Sequence, residues 1–261
     1  MGADRVIAIT GAAGNIGTVL RLGLAAPGRT IRSIDAETPE RPGAEEEVVA
    51  GDVRDLDAML SAFEGADVVV HLAAIATEAP FEEILEHNIR GTYHVFEAAR
   101  RTSVRRVVFA SSSHVTGLYP WGRPVGPEDP VRPDTYYGVS KVFGEALGRL
   151  YADKHGLEVI CIRIVGFSPE PRDAGYLAGW LSERDAVQLF RRAIEADGID
   201  YLCLYGHSRN TRATWRTDGW DAIGYEPVDD AEAFAERFDA AEPPYRWQGM
   251  RFADLPLRGQ G

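Results

Sequence analysis

Short runs of β-branched and aliphatic residues recur along the chain: RVIAI at 5–9, TIRSI at 30–34, EVV at 47–49, DVVVHL at 67–72, RVVFA at 106–110, EVICIRI at 158–164 and YLCLY at 201–205. Between them lie helix-like segments at 15–25, 55–63, 81–102, 136–155, 182–197 and 229–239, the last opened by acids in DDAEAF. Strand and helix alternating over short loops predict an α/β fold, a doubly wound parallel sheet of the Rossmann type covered on both faces. Ligands of such sheets sit at the carboxyl ends of the strands.

Past residue 165 the pattern becomes irregular, and GFSPEPRDAGYLAGW and GHSRNTRATWRTDGW read as pocket-lining loops. The predicted division is therefore residues 1–165 for a dinucleotide and the catalytic groups, and 166–261 for a small C-terminal substrate-binding lobe within the same compact unit. Residues 119–135, YPWGRPVGPEDPVRPDT, are rich in Pro and Gly and too long for an ordinary connection, which predicts a functional loop leading into the next helix.

Composition narrows the partners. A chain of 261 residues with 45% apolar content suits one α/β unit, and a formal charge of -12 disfavours nucleic acid or an anionic membrane surface. A small diffusible ligand suits that charge better. Cys161 and Cys203 fall inside apolar strand runs, where buried free thiols and a reducing compartment are expected. Without a signal-peptide pattern or a run of about 18 apolar residues, the expected location is the cytoplasm. The six histidines show neither HxH nor HExxH spacing, so no metal site is expected.

AITGAAGNIGTVL at 8–20 places Gly11, Gly14 and Gly17 in GxxGxxG spacing, around Asn15 and Ile16, directly after the first strand and at the start of a helix. Glycines there allow a tight turn and close approach to a pyrophosphate, and the helix N-terminus supplies N–H donors. Asp35 follows the second strand, where a carboxylate accepts from ribose hydroxyls and repels a 2'-phosphate, so NAD is favoured over NADP. Asp52 and Val53 end the third strand near the expected adenine edge. The small residues of HLAAIA, Leu72, Ala73 and Ala74 among them, end the fourth under a passing cofactor; His71 reads as a packed histidine.

The stretch DTYYGVSKVFGE, 134–145, holds one of only two lysines, against 26 arginines. A four-residue step puts Tyr137 and Lys141 on one helical face and points Tyr136 elsewhere. A tyrosine has a pKa of about 10, and lowering it by about 3 units needs about 4 kcal/mol of preferential phenolate stabilisation. A nearby cation and a positive nicotinamide ring supply effects of that order. Lysine, a compact charge with three rotatable donors, suits this role and the ribose hydroxyls better than a planar guanidinium. The serines of VVFASSSHVTG, 107–117, stand at the carboxyl end of the fifth strand, where a hydroxyl can hold a substrate oxygen.

Together TGAAGNIG, SSS and YxxxK resemble the extended short-chain dehydrogenase/reductase family, the NAD-dependent epimerase/dehydratase group. The resemblance implies Ser112 as catalytic serine, Tyr137 as general base, Lys141 as its activator, and Asn88 in EHNIRGT as a cofactor-side or proton-relay position. A homo-oligomer is implied as well, with 81–102 and 136–155 as the expected interface. FASSSHVTGLYP, YYGVSKVFGE, RIVGFSPEP and GYEPVDDAEAF are similar to the bacterial uronate dehydrogenase group, which oxidises the anomeric hydroxyl of a hexuronate to a lactone. At the positions matching that group's substrate contacts stand Ala76, Ser113, His114, Gly166 and Gly175; Gly175 replaces a carboxylate-gripping arginine. Arg172, Arg209 and Arg212 are the candidate cations that remain, and a sugar phosphate is an alternative substrate. A nucleotide-sugar 4-epimerase or dehydratase and a non-catalytic dinucleotide sensor are the competing readings; the short tail after residue 205 and the intact Ser112, Tyr137, Lys141 set weigh against them.

Overall fold

A computed structural model describes residues 6–40, 42–43, 46–238 and 245–257. Strands β1 (Val6–Thr10), β2 (Thr30–Asp35), β3 (Glu46–Ala50), β4 (Val68–His71), β5 (Arg106–Ser112), β6 (Glu158–Ile164) and a later β9 (Tyr201–Gly206) form one parallel sheet in the order β3-β2-β1-β4-β5-β6-β9. Two residues each from β7 (Gly166–Phe167) and β8 (Trp180–Leu181) make a separate small parallel ribbon. The main sheet is the predicted Rossmann arrangement, and its strand order reverses between β1 and β4, where a crevice opens at the carboxyl edge.

Alternate residues of one strand feed opposite layers, so the sheet is buried on both faces. Ile7 and Ile9 join Leu20, Leu24, Ile160 and Phe190 on one side. Ala8 joins Met59, Phe63, Phe96 and Phe109 on the other. The first layer is covered by α1 (Asn15–Gly23) and, from further along, α7 (Glu183–Glu195); the second by α2 (Leu56–Phe63), α4 (Gly91–Arg101) and α5 (Tyr136–His155). Ser182 caps α7 by accepting from the Asp185 N–H, which sets its start at Glu183 rather than at 182.

Helix α5 carries the YxxxK stretch and lies close against the sheet. A Cβ at Gly144 would stand 2.3 Å from the Phe109 ring, so only glycine allows this approach. Thr135 starts the helix by accepting from Gly138 N–H at 2.9 Å, and Gly156 ends it in the left-handed region at φ 67°.

Two predicted helices take another form. The segment predicted at 81–102 comprises α3 (Phe81–Ile84), a π-helical turn at Leu85–Arg90, and α4. The predicted 229–239 helix is a 3-10 turn, Ala231–Arg237, capped by Asp230 and followed by extended Phe238; residue 239 lies outside the described residues. Among the described residues the remaining α-helices are the four-residue α6 (Tyr176–Gly179) and α8 (Trp220–Ile223), and 3-10 turns lie at Ser113–Thr116 and Met250–Asp254. No helix among the described residues is long and apolar enough to cross a membrane.

Candidate active site

A cavity of about 800 Å³ runs along the carboxyl edge from the glycine-rich turn to the start of α5. Its first third is lined by Gly11, Gly14, Asn15, Ile16 and Gly17, and its side by Asp35, Asp52 and Val53. Gly11 adopts φ 73°, and a Cβ there would stand 2.6 Å from Ala73 N, so the β1–α1 turn and the β4 end close together only with glycine. Asp35 fastens the turn by accepting from Ala13 N–H at 2.9 Å. The neighbouring arginines are engaged: Arg32 with Glu47 and Arg54 with Asp52. Among the described residues this side holds carboxylates, and its two arginines are both paired, in agreement with the NAD preference expected from Asp35.

Leu72, Ala73, Ala74 and Ala76 line the middle of the cavity. Behind them His71 is fully buried between the hydroxyls of Thr10, at 2.8 Å, and Thr92, at 3.1 Å. Burial, with the Lys141 charge second, pushes its pKa down to about 3, so it is the neutral packed histidine expected. Asn88 does not reach the cavity. Its side chain accepts from Ile75 N–H at 2.8 Å, donates to Ile75 O at 3.0 Å and donates to Ser140 Oγ at 3.1 Å. It therefore ties the β4 end to α5 from behind, and the π-helical turn that carries it supplies the needed rotation.

At the far end, strand alternation separates the serines. Ser111 donates to Glu145 at 2.6 Å, whereas Ser112 lines the cavity near the Tyr137 phenol and accepts from His114 N–H at 3.2 Å. Tyr137 is buried with its ring edge-on to His114, while Tyr136 packs against Phe81 outside the cavity. His114 Nδ1 lies 2.7 Å from Asp134 Oδ2; because an ionised carboxylate only accepts, that nitrogen carries the proton and Nε2 is left for the cavity side. Lys141 Nζ donates to Ala110 O at 2.8 Å and stands over the rings of Phe109 and Tyr137 at 5.0 and 5.5 Å.

The electrostatics of this end depart from the expectation that the lysine lowers the tyrosine. Burial raises the Tyr137 phenol to about 12, against a smaller lowering by the nearby Ser112 hydroxyl. Burial likewise lowers Lys141 to about 7, against the opposing Glu145 charge. Desolvation dominates both groups in the protein alone, which leaves a neutral phenol beside a weakly basic amine.

Gly166 and Arg172 line the cavity, and Ser113 lines a smaller adjoining one. Gly175 does not: it opens the short α6, and a Cβ there would stand 2.7 Å from the Tyr245 ring. Tyr245 occupies that space, so Gly175 is not among the residues facing the cavity. Arg209 and Arg212 are also outside it, Arg212 being paired with Glu232 at 2.7 Å. Sequence reasoning missed Tyr176, Arg251 and Phe252, which close the far end. Among the described residues no group of three His, Cys, Asp or Glu side chains is placed to hold a metal ion, and both cysteines are free.

The chain is 40% identical over 237 residues to uronate dehydrogenase of Pseudomonas syringae pv. tomato, covering 90% of this chain and 86% of that one. It is 42% identical over 256 residues to the L-arabinose 1-dehydrogenase (NAD(P)(+)) of Haloferax volcanii, covering 88% and 99%. The fold superposes with TM-score 0.93 on a mutant of uronate dehydrogenase from Agrobacterium tumefaciens complexed with NAD, at 38% identity over 99% of this chain and 100% of that one. Residues 7–183 match the NAD dependent epimerase/dehydratase family, and this chain belongs to it.

Proposed function

We propose that the chain oxidises a sugar hydroxyl, the anomeric hydroxyl of an aldose or hexuronate, to the lactone, with NAD as oxidant. One observation carries this reading: Tyr137, Ser112 and Lys141, with the Lys141 amine 5.5 Å from the Tyr137 ring, line the same cavity as the glycine turn and Asp35. The glycine turn with Asn15 and Ile16 would hold the pyrophosphate, Asp35 the adenosine ribose, Asp52 and Val53 the adenine edge, and Leu72 to Ala74 the far half. When bound, the dinucleotide supplies an acceptor for the hydride.

This chain's own residues handle the proton and the orientation. Ser112 donates to the substrate hydroxyl oxygen and fixes it beside Tyr137. Tyr137, once deprotonated, accepts the hydroxyl proton as the carbon gives up its hydride and the carbonyl forms. Lys141 shares the proton inventory of Tyr137 and presents N–H donors to the ribose. His114, aligned by Asp134, offers Nε2 to a second sugar hydroxyl. Asn88 is a positioning residue, acting through Ile75 and Ser140.

On this reading residues 1–165 form the cofactor half and 166–261 the substrate region of one compact enzyme of the cytoplasm. It works as a homo-oligomer: Val139 and Leu150 are exposed on one face of α5, and Tyr93 is exposed on α4. Light scattering on the purified chain gives the mass that decides this.

The test of the activity is growth of the reduced-nicotinamide absorbance with NAD and a panel of aldoses, hexuronates and sugar phosphates. Wild type is expected to turn over at least one of them and Tyr137→Phe none. Equal behaviour of the two proteins on every sugar refutes the assignment, and conversion of a nucleotide sugar with no net reduction replaces it by an epimerase.

A further inference from the structure

The part of the site with no place in the sequence reading is its C-terminal wall. Residues 246–249 are bonded rung by rung to the loop after β5: Trp121 N–H to Arg246 O at 3.0 Å, Gln248 N–H to Tyr119 O at 2.9 Å, and Gly249 N–H to Gly117 O at 2.9 Å. The next residue, Met250, has φ 54°, a left-handed conformation that a side chain disfavours. That turn brings Arg251 and Phe252 back over the cavity, with Phe252 edge-on to His114 at 4.9 Å between ring centroids.

The segment also closes a second, smaller cavity of about 180 Å³, which adjoins the first and shares His114, Arg172, Tyr176, Arg251 and Phe252 with it. Arg172 and Arg251 are both exposed at these walls, and among the described residues neither has a carboxylate within ion-pair distance. Each rests instead on an aromatic ring, Arg172 near Tyr176 at 5.9 Å and Arg251 over Phe252 at 5.3 Å. One carboxylate, Asp173, lines the same cavity, but its oxygens accept from Gly175 N–H at 2.8 Å and Tyr245 OH at 3.1 Å. Gln248 is 1% exposed; its Nε2 donates to Arg123 O, which fixes the amide and leaves Oε1, a buried acceptor, without a partner. Gln248 with its free acceptor and two guanidinium groups without a carboxylate partner among the described residues line one cavity, the donor and acceptor set of a polyhydroxylated anion.

We propose that this smaller cavity is the distal half of the substrate site and takes the phosphoryl group of a phosphorylated aldose, gripped by Arg172 and Arg251, with Gln248 Oε1 accepting from a sugar hydroxyl. The assignment rests on the oxidation reading above and names its substrate class. A carboxylate is satisfied by one guanidinium fork, whereas a phosphate monoester carries a charge near -2 and three acceptor oxygens, which two arginines from different segments match. Tyr245 packed against Gly175 also leaves no place there for a single in-line carboxylate clamp.

The test separates binding from turnover. With NAD present, calorimetry compares 1,5-anhydrohexitol 6-phosphate, which lacks the oxidisable hydroxyl, with its unphosphorylated parent, on wild type, Arg172→Ala and Arg251→Ala. The phosphate is expected to tighten binding to wild type by at least about 10-fold, and each substitution to weaken it by about 10- to 100-fold while leaving the neutral analogue unchanged. In parallel, kcat/KM is expected to rank the hexose 6-phosphate above the hexuronate and the free hexose. No gain from the phosphate, equal weakening of both analogues, or a preference for the hexuronate overturns the assignment. Phosphate-dependent binding that the arginine variants lose, with no sugar oxidised, sustains the subsite and refutes the oxidation reading alone.

Discussion

Replacing Lys141 by Met keeps the length and apolar stem of the side chain and removes the amine, and its effect follows from the two pKa values at the site. The phenol stands at about 12 and the amine at about 7, about 5 units in the wrong order for a Lys⁺/Tyr⁻ pair, or about 7 kcal/mol. The pair nevertheless loses its first proton near pH 7, and where that proton comes from does not alter the inventory: the singly protonated pair is the base-competent form. Wild-type activity is therefore expected to rise with pH through an apparent pKa at or below about 7 and then level off. Without Lys141 the only ionisation left is the phenol. A bound nicotinamide cation at about 4 Å and an effective dielectric of about 20 contributes about 4 kcal/mol, which brings that phenol to about 9. At pH 7 the Lys141→Met enzyme then carries about one phenolate in a hundred, and its kcat/KM for the sugar at saturating NAD falls by about 50-fold. The deficit should shrink about fivefold per pH unit, to about twofold at pH 9. A pH–rate profile of both proteins from pH 5 to 10 checks this; superimposable profiles, or a loss under about fivefold at pH 7, refute the shared-proton argument.

Three further outcomes follow from the same contacts. Because burial lowers the folded-state pKa of Lys141 from 10.5 to about 7, the unfolded chain binds more protons between those values and stability rises with pH across that window; the cost is fully present below pH 7. Lys141→Met should thus raise Tm measurably at pH 6 and progressively less toward pH 10, and a pH-independent difference contradicts the assignment of the shift. Asp35→Asn removes the charge facing a 2'-phosphate, and with Asp35 half exposed the relief is about 1.5 to 3 kcal/mol, so the NADP to NAD ratio of kcat/KM should rise by about 10- to 100-fold; a change under twofold contradicts it. Asn88→Ala deletes three hydrogen bonds, one buried and two partly buried, and strands the Ile75 peptide, which should lower unfolding stability by about 2 to 3 kcal/mol in urea titration and reduce kcat more than it raises the KM for NAD.

What could be read from the sequence, and what could not, divides by the range of the interactions involved. The inner strands of the sheet declared themselves because their β-branched runs are buried on both faces within a few residues, the edge strand β3 being the exposed exception, and the turn at Gly11 because strand, glycines and helix are contiguous. Tyr137 was separable from Tyr136 by helical spacing, a local period, whereas Ser112 was singled out among three serines only by the family resemblance. The order of the Tyr137 and Lys141 pKa values was not legible, because it depends on how much water β5, α5 and the Phe109 ring together exclude, a property no spacing carries. The same holds for Asn88, whose tripeptide context suggests a helix but not the π-helical turn that aims its amide at Ile75. The C-terminal wall lay furthest out of reach. Residues 245–252 have no periodicity of their own and gain their position from peptide bonds of the 117–121 loop more than a hundred residues earlier. A signal was present on both sides: a Pro- and Gly-rich loop too long to be idle, and a tail that holds Tyr245, Trp247 and Phe252 in eight residues with nothing local to bury them. Two irregular segments, each with apolar rings or unpaired backbone to cover, satisfy one another more readily than either does alone, and where they meet beside a catalytic cavity the contact decides which substrate fits.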